Sequence, residues 1–517
     1  MLIKKLPLSQ TVPILMRIMA AVSDGNFRQK HNPVVVICGA TGTGKSKLAI
    51  DLAKLFHGEI INADAMQLYE GLSISTNKVT ASEAAGIPHH LLGSISTKYA
   101  GRFDVHDYRE RCLPLIHRIR EQEGHLPILV GGTHYYIEAV LWSDFLEERA
   151  PGSSEQLASF QLPAGSTDCY NKLRLLDPDV AAALHPNNAR KVRIALVRAL
   201  SRQVANESPT GRSTHMSRSH PSSSPNRPTH PRYPGQTIIF WLDCRSDILH
   251  NQLDKRVDKM LKAGLINELD DFLRHYFNKG SCLNSSKERS EHLDRLFDET
   301  KESVQDPFTR RGVLQTIGFK EFSDYLALPP SSGKRDSAEG KQLLADAIKQ
   351  VKTATRQYAR RQIKWIVNRF LTRPSDGSLP VYRLDVTEYL APDGSSFPQE
   401  SWLSKIVKPA ACLIHDHIRT HAAVEVPMSE ELKSLLNPNG AEDDSVPLLS
   451  PCEIVLPKLS SADPTELSGP YVCSYCNGRT FVRQEDWLAH TKSRGHQKRV
   501  NKVRRRELLQ SVSVSED

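Results

Sequence analysis

The stretch VVVICGATGTGKSKLAIDLAK, Val34 to Lys54, sets an apolar run and an amphipathic one on either side of a glycine-rich loop ending in Lys45 and Ser46. Val34 to Cys38 reads as a buried strand, and Lys47 to Phe56 repeats apolar residues at helical spacing, so the segment is strand, loop, helix. Gly39, Gly44, Lys45 and Ser46 fit the pattern G-x-x-x-x-G-K-[ST] with the flanks it requires. In such a loop the glycines let backbone N–H groups converge on phosphate oxygens, and the helix N-terminus adds its partial positive charge. Lys45 supplies a cation and Ser46 can ligate Mg²⁺. The phosphate-binding set is therefore Gly39, Ala40, Thr41, Gly42, Thr43, Gly44, Lys45 and Ser46.

Downstream, EIINADAMQLY is a second short strand ending at Asp64, and LPILVGGTHYY a third, Ile128 to Val130, broken by Gly131 and Gly132. A further strand, Thr237 to Asp243, precedes the helical pattern LDKRVDKMLKAGLINELDDFL. Strands alternating with helices imply an α/β fold with a P-loop NTPase-like parallel sheet, whose ligands gather at the carboxyl ends of the strands. A nucleoside triphosphatase usually has a second apolar strand ending in Asp, which helps to hold Mg²⁺. Here PILVGGT ends in Gly131-Gly132-Thr133 instead. Asp64 is an acid at a strand end, followed by polar and aromatic side chains suited to holding a base; a turn residue is the plainer reading. Asp243 reads as a turn or cap acid. A phosphate loop without an obvious hydrolytic acid fits a pyrophosphate leaving group at least as well as a γ-phosphate.

A chain of 517 residues is long enough for two or three domains. The expected division is an N-terminal extension over 1–32, a first part of the core over 33–142, and a helical insertion with a low-complexity loop over 143–235. Core completion with basic helices follows over 236–414, a linker over 415–470, and a final module over 471–506. Asn206 to Gln236, Asn284 to Asp306 and Pro329 to Lys341 read as loop insertions from their Ser, Pro, Gly and charge content. Nine thinly spread cysteines argue for a reducing compartment rather than a disulfide framework. No run approaches the roughly 18 apolar residues of a membrane span, so no membrane partner is expected.

Two segments point to a polyanion. Lys349 to Arg373 holds eight basic residues and no acid, and Lys349, Lys352, Arg356, Arg360 and Lys364 fall on one stripe of a helix. Tyr471 to Arg506 holds ten basic residues against Glu485 and Asp486. Within it, Cys473-x2-Cys476-x13-His490-x5-His496 has the spacing of a tetrahedral, structural Zn²⁺ site, a C2H2 zinc finger with Phe481, Trp487 and Leu488 for a small core.

With these residues in view, the chain resembles the tRNA dimethylallyltransferases, also called tRNA isopentenyltransferases, of the eukaryotic type. The resembling blocks are GATGTGKS, INADAMQLYEGLSISTNK, PHHLL, LPILVGGTHYYIEAVL, HPNNARKVRIALVRAL, LDKRVDKMLKAG, QTIGFKEF and ATRQYARRQIKWI, in that order between about Pro33 and Val386. The resemblance implies transfer of a dimethylallyl group from dimethylallyl diphosphate to N6 of adenine 37 in the tRNA anticodon stem-loop. It implies that Thr41 to Ser46 grip the diphosphate with Mg²⁺, that Asp64 is the general base, that Thr133 hydrogen-bonds near the reacting centre, and that Arg256 clamps the diphosphate. Asp64, Ala65, Met66 and Gln67 would line the pocket for the extruded base, and Ala189, Arg190, Lys191, Val192 and Arg193 match the family's tRNA-contacting segment. Arg356, Arg360 and Lys364 join the tRNA-binding set from the basic helix. The family's small helical domain is short here, about Ser143 to Leu176, and the Ser/Pro/Arg-rich stretch after Leu200 is longer. Rival readings are a prenyltransferase of free adenine nucleotides, an RNA-binding ATPase or small-molecule kinase, and a non-catalytic RNA-binding adaptor.

The N-terminal 30 residues carry Lys4, Lys5, Arg17, Arg28 and Lys30 against Asp24 alone, which is compatible with a mitochondrial presequence and equally with a short extension. KRVNKVRRR after the finger resembles a nuclear localisation signal. A monomer in mitochondrion and cytoplasm, with a nuclear fraction, is expected.

Overall fold

The computed structural model describes residues 32–97, 103–146 except 123, and 166–200 with short gaps. It further describes 230–277, 312–373 except 331 and 332, 377–390, 399–421, 430–436 and 471–500 with short gaps. The N-terminal extension and most of the two loop insertions Asn206–Gln236 and Asn284–Asp306 lie outside these residues.

Six strands form one parallel sheet: β1 (Val34–Gly39), β2 (Gly58–Asn62), β3 (His89–His90), β4 (Leu126–Val130), β5 (Thr237–Asp243) and β6 (Val381–Asp385). Their spatial order is β3-β2-β4-β1-β5-β6, and every neighbouring pair is parallel. The register sets Val36 beside Leu129 on one side and Ile239 on the other. A parallel sheet is covered on both faces, so its central strands are continuously apolar. In β1, Val34, Val36 and Cys38 join one core while Val35 and Ile37 join the other. Strand β5 divides in the same way, with Ile239 and Trp241 against Ile238, Phe240 and Leu242. The side-chain period of two thus generates two separate hydrophobic layers.

The helices up to residue 365 include α1 (Lys45–Phe56), α2 (Val105–His117), α3 (His134–Leu141), α4 (Ser166–Leu176), α5 (Ser246–Lys262), α6 (Leu265–Phe277) and α7 (Ala338–Trp365); α4 belongs to the insertion and the others cover the sheet. Local chemistry sets their starts. Asp104 caps α2 by accepting from His106 and Asp107 N–H, while the Asp107 side chain answers back to Asp104 N–H. Ser337 caps α7 by accepting from Gly340 N–H. At 28 residues, α7 is about 42 Å long. Its Ala347 and Val351 belong to one core and its Ala359 to the other.

Three expectations need correction. Pro329 to Lys341 is not all loop, since Lys334–Asp336 form a 3₁₀ turn and α7 begins at Ala338. The segment from 415 onward is not all linker either. Helix α8 (Lys408–His421) runs past that boundary, and α9 (Glu430–Leu436) follows. Ile414, Ile418 and Leu432 are buried against the sheet's second core, because their helical spacing forms an apolar face. The helical insertion extends further than Leu176: Cys169, Leu173, Ala181, Val192, Leu196 and Ala199 pack into a small core of their own. The structure also adds the edge strands β3 and β6, which the sequence reading leaves out.

The C-terminal module pairs β7 (Tyr471–Cys473) antiparallel with β8 (Arg479–Phe481) and closes with α10 (Gln484–Lys492). No helix among the described residues is long and apolar enough to cross a membrane.

Candidate active site

The loop between β1 and α1 lies at the carboxyl end of the sheet, and Gly44, at φ 88°, sits at the N-cap of α1. That left-handed conformation is one that glycine adopts without strain. No side chain caps the helix and no acid occupies its first turn, so its N-terminal partial charge is suited to an anion. Lys45 folds back and donates from Nζ to the Ala40 carbonyl at 2.7 Å. Thr43 is buried and donates to the same carbonyl at 2.9 Å, whereas Ser46 is exposed.

Asp64 stands two residues beyond β2. Its N–H donates to Asn62 Oδ1 at 3.1 Å, and its carboxylate accepts from Met66 N–H at 3.1 Å. Thr133 stands at the matching end of β4. Its N–H donates to Ala63 O at 3.0 Å and its hydroxyl accepts from Ala65 N–H at 2.9 Å. Two adjacent strand ends are thereby locked together with the carboxylate between them. Farther along the same loop, Glu268 of α6 accepts from Ile74 and Ser75 N–H at 2.8 and 2.7 Å. Gln67 Nε2 donates to Thr76 O at 3.1 Å.

Arg256 approaches from α5, donating from Nη1 to the Thr41 hydroxyl at 3.1 Å. Lys45, Asp64 and Arg256 are all half-buried and close enough to act on one another electrostatically. Burial, reinforced by Arg256 and opposed by Asp64, lowers the Lys45 ammonium to about 8. Burial raises the Asp64 carboxyl above its ordinary value, against the Met66 N–H and Lys45. A site with two cations and one reluctant carboxylate can hold a multiply charged anion and accept a proton beside it.

The acid ending β5 is engaged in an ion pair. Asp243 accepts from Arg383 Nε at 2.9 Å and lies 2.8 Å from its Nη2. The end of β4 carries glycines, for a reason visible in space. A Cβ on Gly131 would lie 2.2 Å from Ala63 backbone atoms, and one on Gly132 would lie 2.1 Å from Gln362 Nε2. Gln362 is buried, and nothing in its sequence surroundings singles it out. It accepts from Thr41 N–H at 2.8 Å and donates to Gly132 O at 2.9 Å. Tyr358, one turn earlier on α7, lies near Thr133 and Gln362, and burial raises its phenol well above the ordinary value.

The basic run Lys349–Arg373, in α7 and just beyond it, divides by partner. Lys352 and Arg356 pair with Asp258 and Asp254 of α5 at 2.7 and 2.6 Å. Arg369 and Arg373 converge on the buried Glu138 of α3, which also accepts from Trp365 Nε1 at 3.0 Å. Arg360 and Lys364 are exposed. In the helical insertion Val192 is fully buried, Ala189 and Arg193 are half-buried, and Arg190 and Lys191 lie outside the described residues. Tyr135, exposed beside Thr133, packs edge-on against Phe145 and Trp365.

In the C-terminal module, Cys473, Cys476, His490 and His496 offer ligand atoms that all lie within 4.8 Å of one another. His496 Nδ1 is 3.4 Å from Cys473 Sγ and 3.7 Å from Cys476 Sγ. Such separations suit a tetrahedral ion with metal–sulfur and metal–nitrogen bonds of about 2.3 and 2.0 Å. His490 Nε2 is buried without a hydrogen-bond partner, as a nitrogen meant for a metal would be.

A model of the IPP transferase family matches residues 67–369, more than half the chain. The chain belongs to this family. It is 32% identical over 498 residues to the tRNA dimethylallyltransferase of Homo sapiens, covering 95% of this chain and 91% of that one. To the tRNA dimethylallyltransferase of Saccharomyces cerevisiae it is 31% identical, covering 91% and 92% of the two chains. A crystallographically studied eukaryotic dimethylallyltransferase acting on tRNA superposes with a TM-score of 0.52 at 26% identity, covering 93% of this IPP transferase and 99% of that chain.

Proposed function

We propose that this IPP transferase moves a dimethylallyl group from dimethylallyl diphosphate to N6 of adenine 37 in the tRNA anticodon loop, releasing diphosphate. The observation that carries the reading is the meeting of the phosphate loop, Arg256 and Asp64 at one half-buried site, with Asp243 tied to Arg383. Breaking an allylic C–O bond develops negative charge on the leaving diphosphate. Preorganised donors stabilise such charge most where water is excluded. Lys45, Arg256, the Thr41 hydroxyl and the first N–H groups of α1 are those donors. Mg²⁺, which the Ser46 hydroxyl would help to hold, disperses diphosphate charge when bound.

An exocyclic amine is a weak nucleophile until its proton has an acceptor. As the new C–N bond forms, Asp64 takes the N6 proton, and Thr133 holds the strand ends that aim it. Adenine 37 must leave the loop stack at a few kcal/mol, which contacts to the rest of the anticodon stem-loop offset. Asp64, Ala65, Met66 and Gln67 line the receiving pocket, and exposed Arg360 and Lys364 meet phosphate backbone. Lys352, Arg356, Arg369 and Arg373 act within the protein as ion-pair partners. Ala189 to Arg193 contribute through a helical unit whose core is anchored by Val192. The Cys/His cluster holds structural Zn²⁺, and the basic finger adds grip on tRNA. A monomer in mitochondrion and cytoplasm, with a nuclear fraction directed by KRVNKVRRR, completes the reading; light scattering and tagged-protein imaging test it.

The deciding experiment incubates the full chain with Mg²⁺, labelled dimethylallyl diphosphate and an anticodon stem-loop carrying A36-A37-A38, followed by nucleoside mass analysis. Label on N6 of adenosine 37, absent when another base occupies that position, supports the reading. Phosphate release from ATP, lost in Lys45→Ala, would favour a nucleotide hydrolase instead.

A further inference from the structure

Two halves of the site are built on separate loops. The donor half is the phosphate loop after β1, and the acceptor half is the Asp64–Thr133 pair after β2 and β4. In the sheet order β1 adjoins β4 directly, so a small shift between their loops would change the distance from allylic carbon to amine. Near-attack geometry tolerates little of that: reacting atoms must approach to about 3–3.5 Å.

The side-chain amide of Gln362 spans the two halves. Its Oε1 accepts from Thr41 N–H at 2.8 Å and its Nε2 donates to the carbonyl of Gly132, next to Thr133, at 2.9 Å. A side-chain amide supplies the acceptor and the donor that this pair of partners needs without a change of protonation. Gln362 is 4% exposed; its bond to Gly132 is buried and its bond to Thr41 partly so, and a buried group left without its partner is costly. The glycine at 132 exists at this approach distance, because a Cβ there would collide with Nε2.

We propose that Gln362 is a positioning residue for the transfer, an amide strut that fixes the separation between the diphosphate-gripping loop and the Asp64–Thr133 half. The inference rests on the transferase reading above. In a correctly spaced site, the C–O bond breaks, the electron pair leaves with the diphosphate, and the carbon bonds to N6 while Asp64 receives the proton. In a loosened site the same carbon is open to water, which bonds through oxygen and gives dimethylallyl alcohol, the water proton going to solvent.

The test compares the full-length protein with Gln362→Met and Gln362→Glu under single-turnover conditions, with radiolabelled donor and the stem-loop in excess. The Met side chain keeps the length and removes both hydrogen bonds. The ionised Glu keeps the acceptor for Thr41 and loses the donor to Gly132. Expected are transfer at least about tenfold slower and an alcohol-to-transfer ratio at least about tenfold higher in either variant that folds. Transfer within twofold of wild type, or slower transfer with an unchanged alcohol ratio, overturns the proposal. If Gln362→Met melts below assay temperature, Gln362→Glu is judged by the same two numbers. Absence of transfer by the wild-type protein would instead overturn the transferase reading itself.

Discussion

Arg256 Nη1 donates to the Thr41 hydroxyl at 3.1 Å, joining the middle of α5 to the phosphate loop. The guanidinium thereby stands beside the loop, where an anion held by the loop would meet it. Its burial, which lowers its own affinity for a proton, is opposed by Asp64. Replacing it should remove charge stabilisation of the leaving group more than it disturbs the fold. Arg256→Ala is expected to lower kcat/KM for dimethylallyl diphosphate by about 10²–10³, with tRNA affinity unchanged. A normal rate and donor KM would remove the clamp role.

Asp64 accepts from Met66 N–H and shares its space with Lys45. Asp64→Asn keeps the shape and removes the proton acceptor. Single-turnover transfer should fall by about 10²–10⁴, while the Kd for the stem-loop changes by less than about threefold. Chemistry at the wild-type rate would show that another group takes the proton.

The two pH limits follow from shifts in opposite directions. Asp64 is raised from the ordinary 3.8 by burial, so the ionised base is lost as pH falls through a value above that of a solvated aspartate. Lys45 is lowered to about 8 by burial, so its charge is lost as pH rises past about 8. In the free enzyme, kcat/KM for the donor should decline on that alkaline side. Lys45→Arg, whose guanidinium stays charged, should displace the alkaline limb upward even if its rate is lower. A limb at the same pH in that variant would assign it to a different group.

Gly131 and Gly132 are adjacent but guard different things. A Cβ at 131 would strike Ala63 backbone at 2.2 Å, which cannot move without opening the sheet. At 132 it would meet the far end of the Gln362 side chain, which can rotate away. Thermal denaturation should therefore show Gly131→Ala markedly less stable, by a few kcal/mol, and Gly132→Ala less destabilised, by about the 1–3 kcal/mol of the Gln362 hydrogen bonds it displaces. Gly132→Ala should nevertheless slow transfer, and equal melting losses in both would contradict this division.

The finger should act on RNA without touching the chemistry. Cys476→Ser, or deletion of Tyr471 to Asp517, is expected to weaken stem-loop binding. For every phosphate that the protein no longer neutralises, the slope of log Kd against log salt should become shallower by about 0.7–0.9. The transfer rate at saturating stem-loop should stay near wild type. Metal content by mass spectrometry should fall by one zinc per chain in Cys476→Ser, and an unchanged salt slope would argue against phosphate binding by this module.

The parts legible in the sequence are those whose physics is local. A buried strand, a glycine-rich turn and an amphipathic helix from Val34 to Phe56 declare themselves within a few turns of chain, as does the Cys473–His496 spacing. Strand alternation likewise foretells a sheet covered on two sides, because β1 is apolar throughout. The meaning of α7 could not be read in the same way. Its basic residues look like one cationic stripe suited to a phosphate backbone, yet Lys352 and Arg356 answer to acids on α5, and beyond the helix Arg373 lies against Glu138. Gln362 looks like any polar residue on a charged helix, yet its partners are Thr41 and Gly132, 321 and 230 residues away. Helical periodicity says which side chains share a face. Which face is buried, and what polar groups wait there, is decided only when the chain folds and a buried amide must find both of its partners.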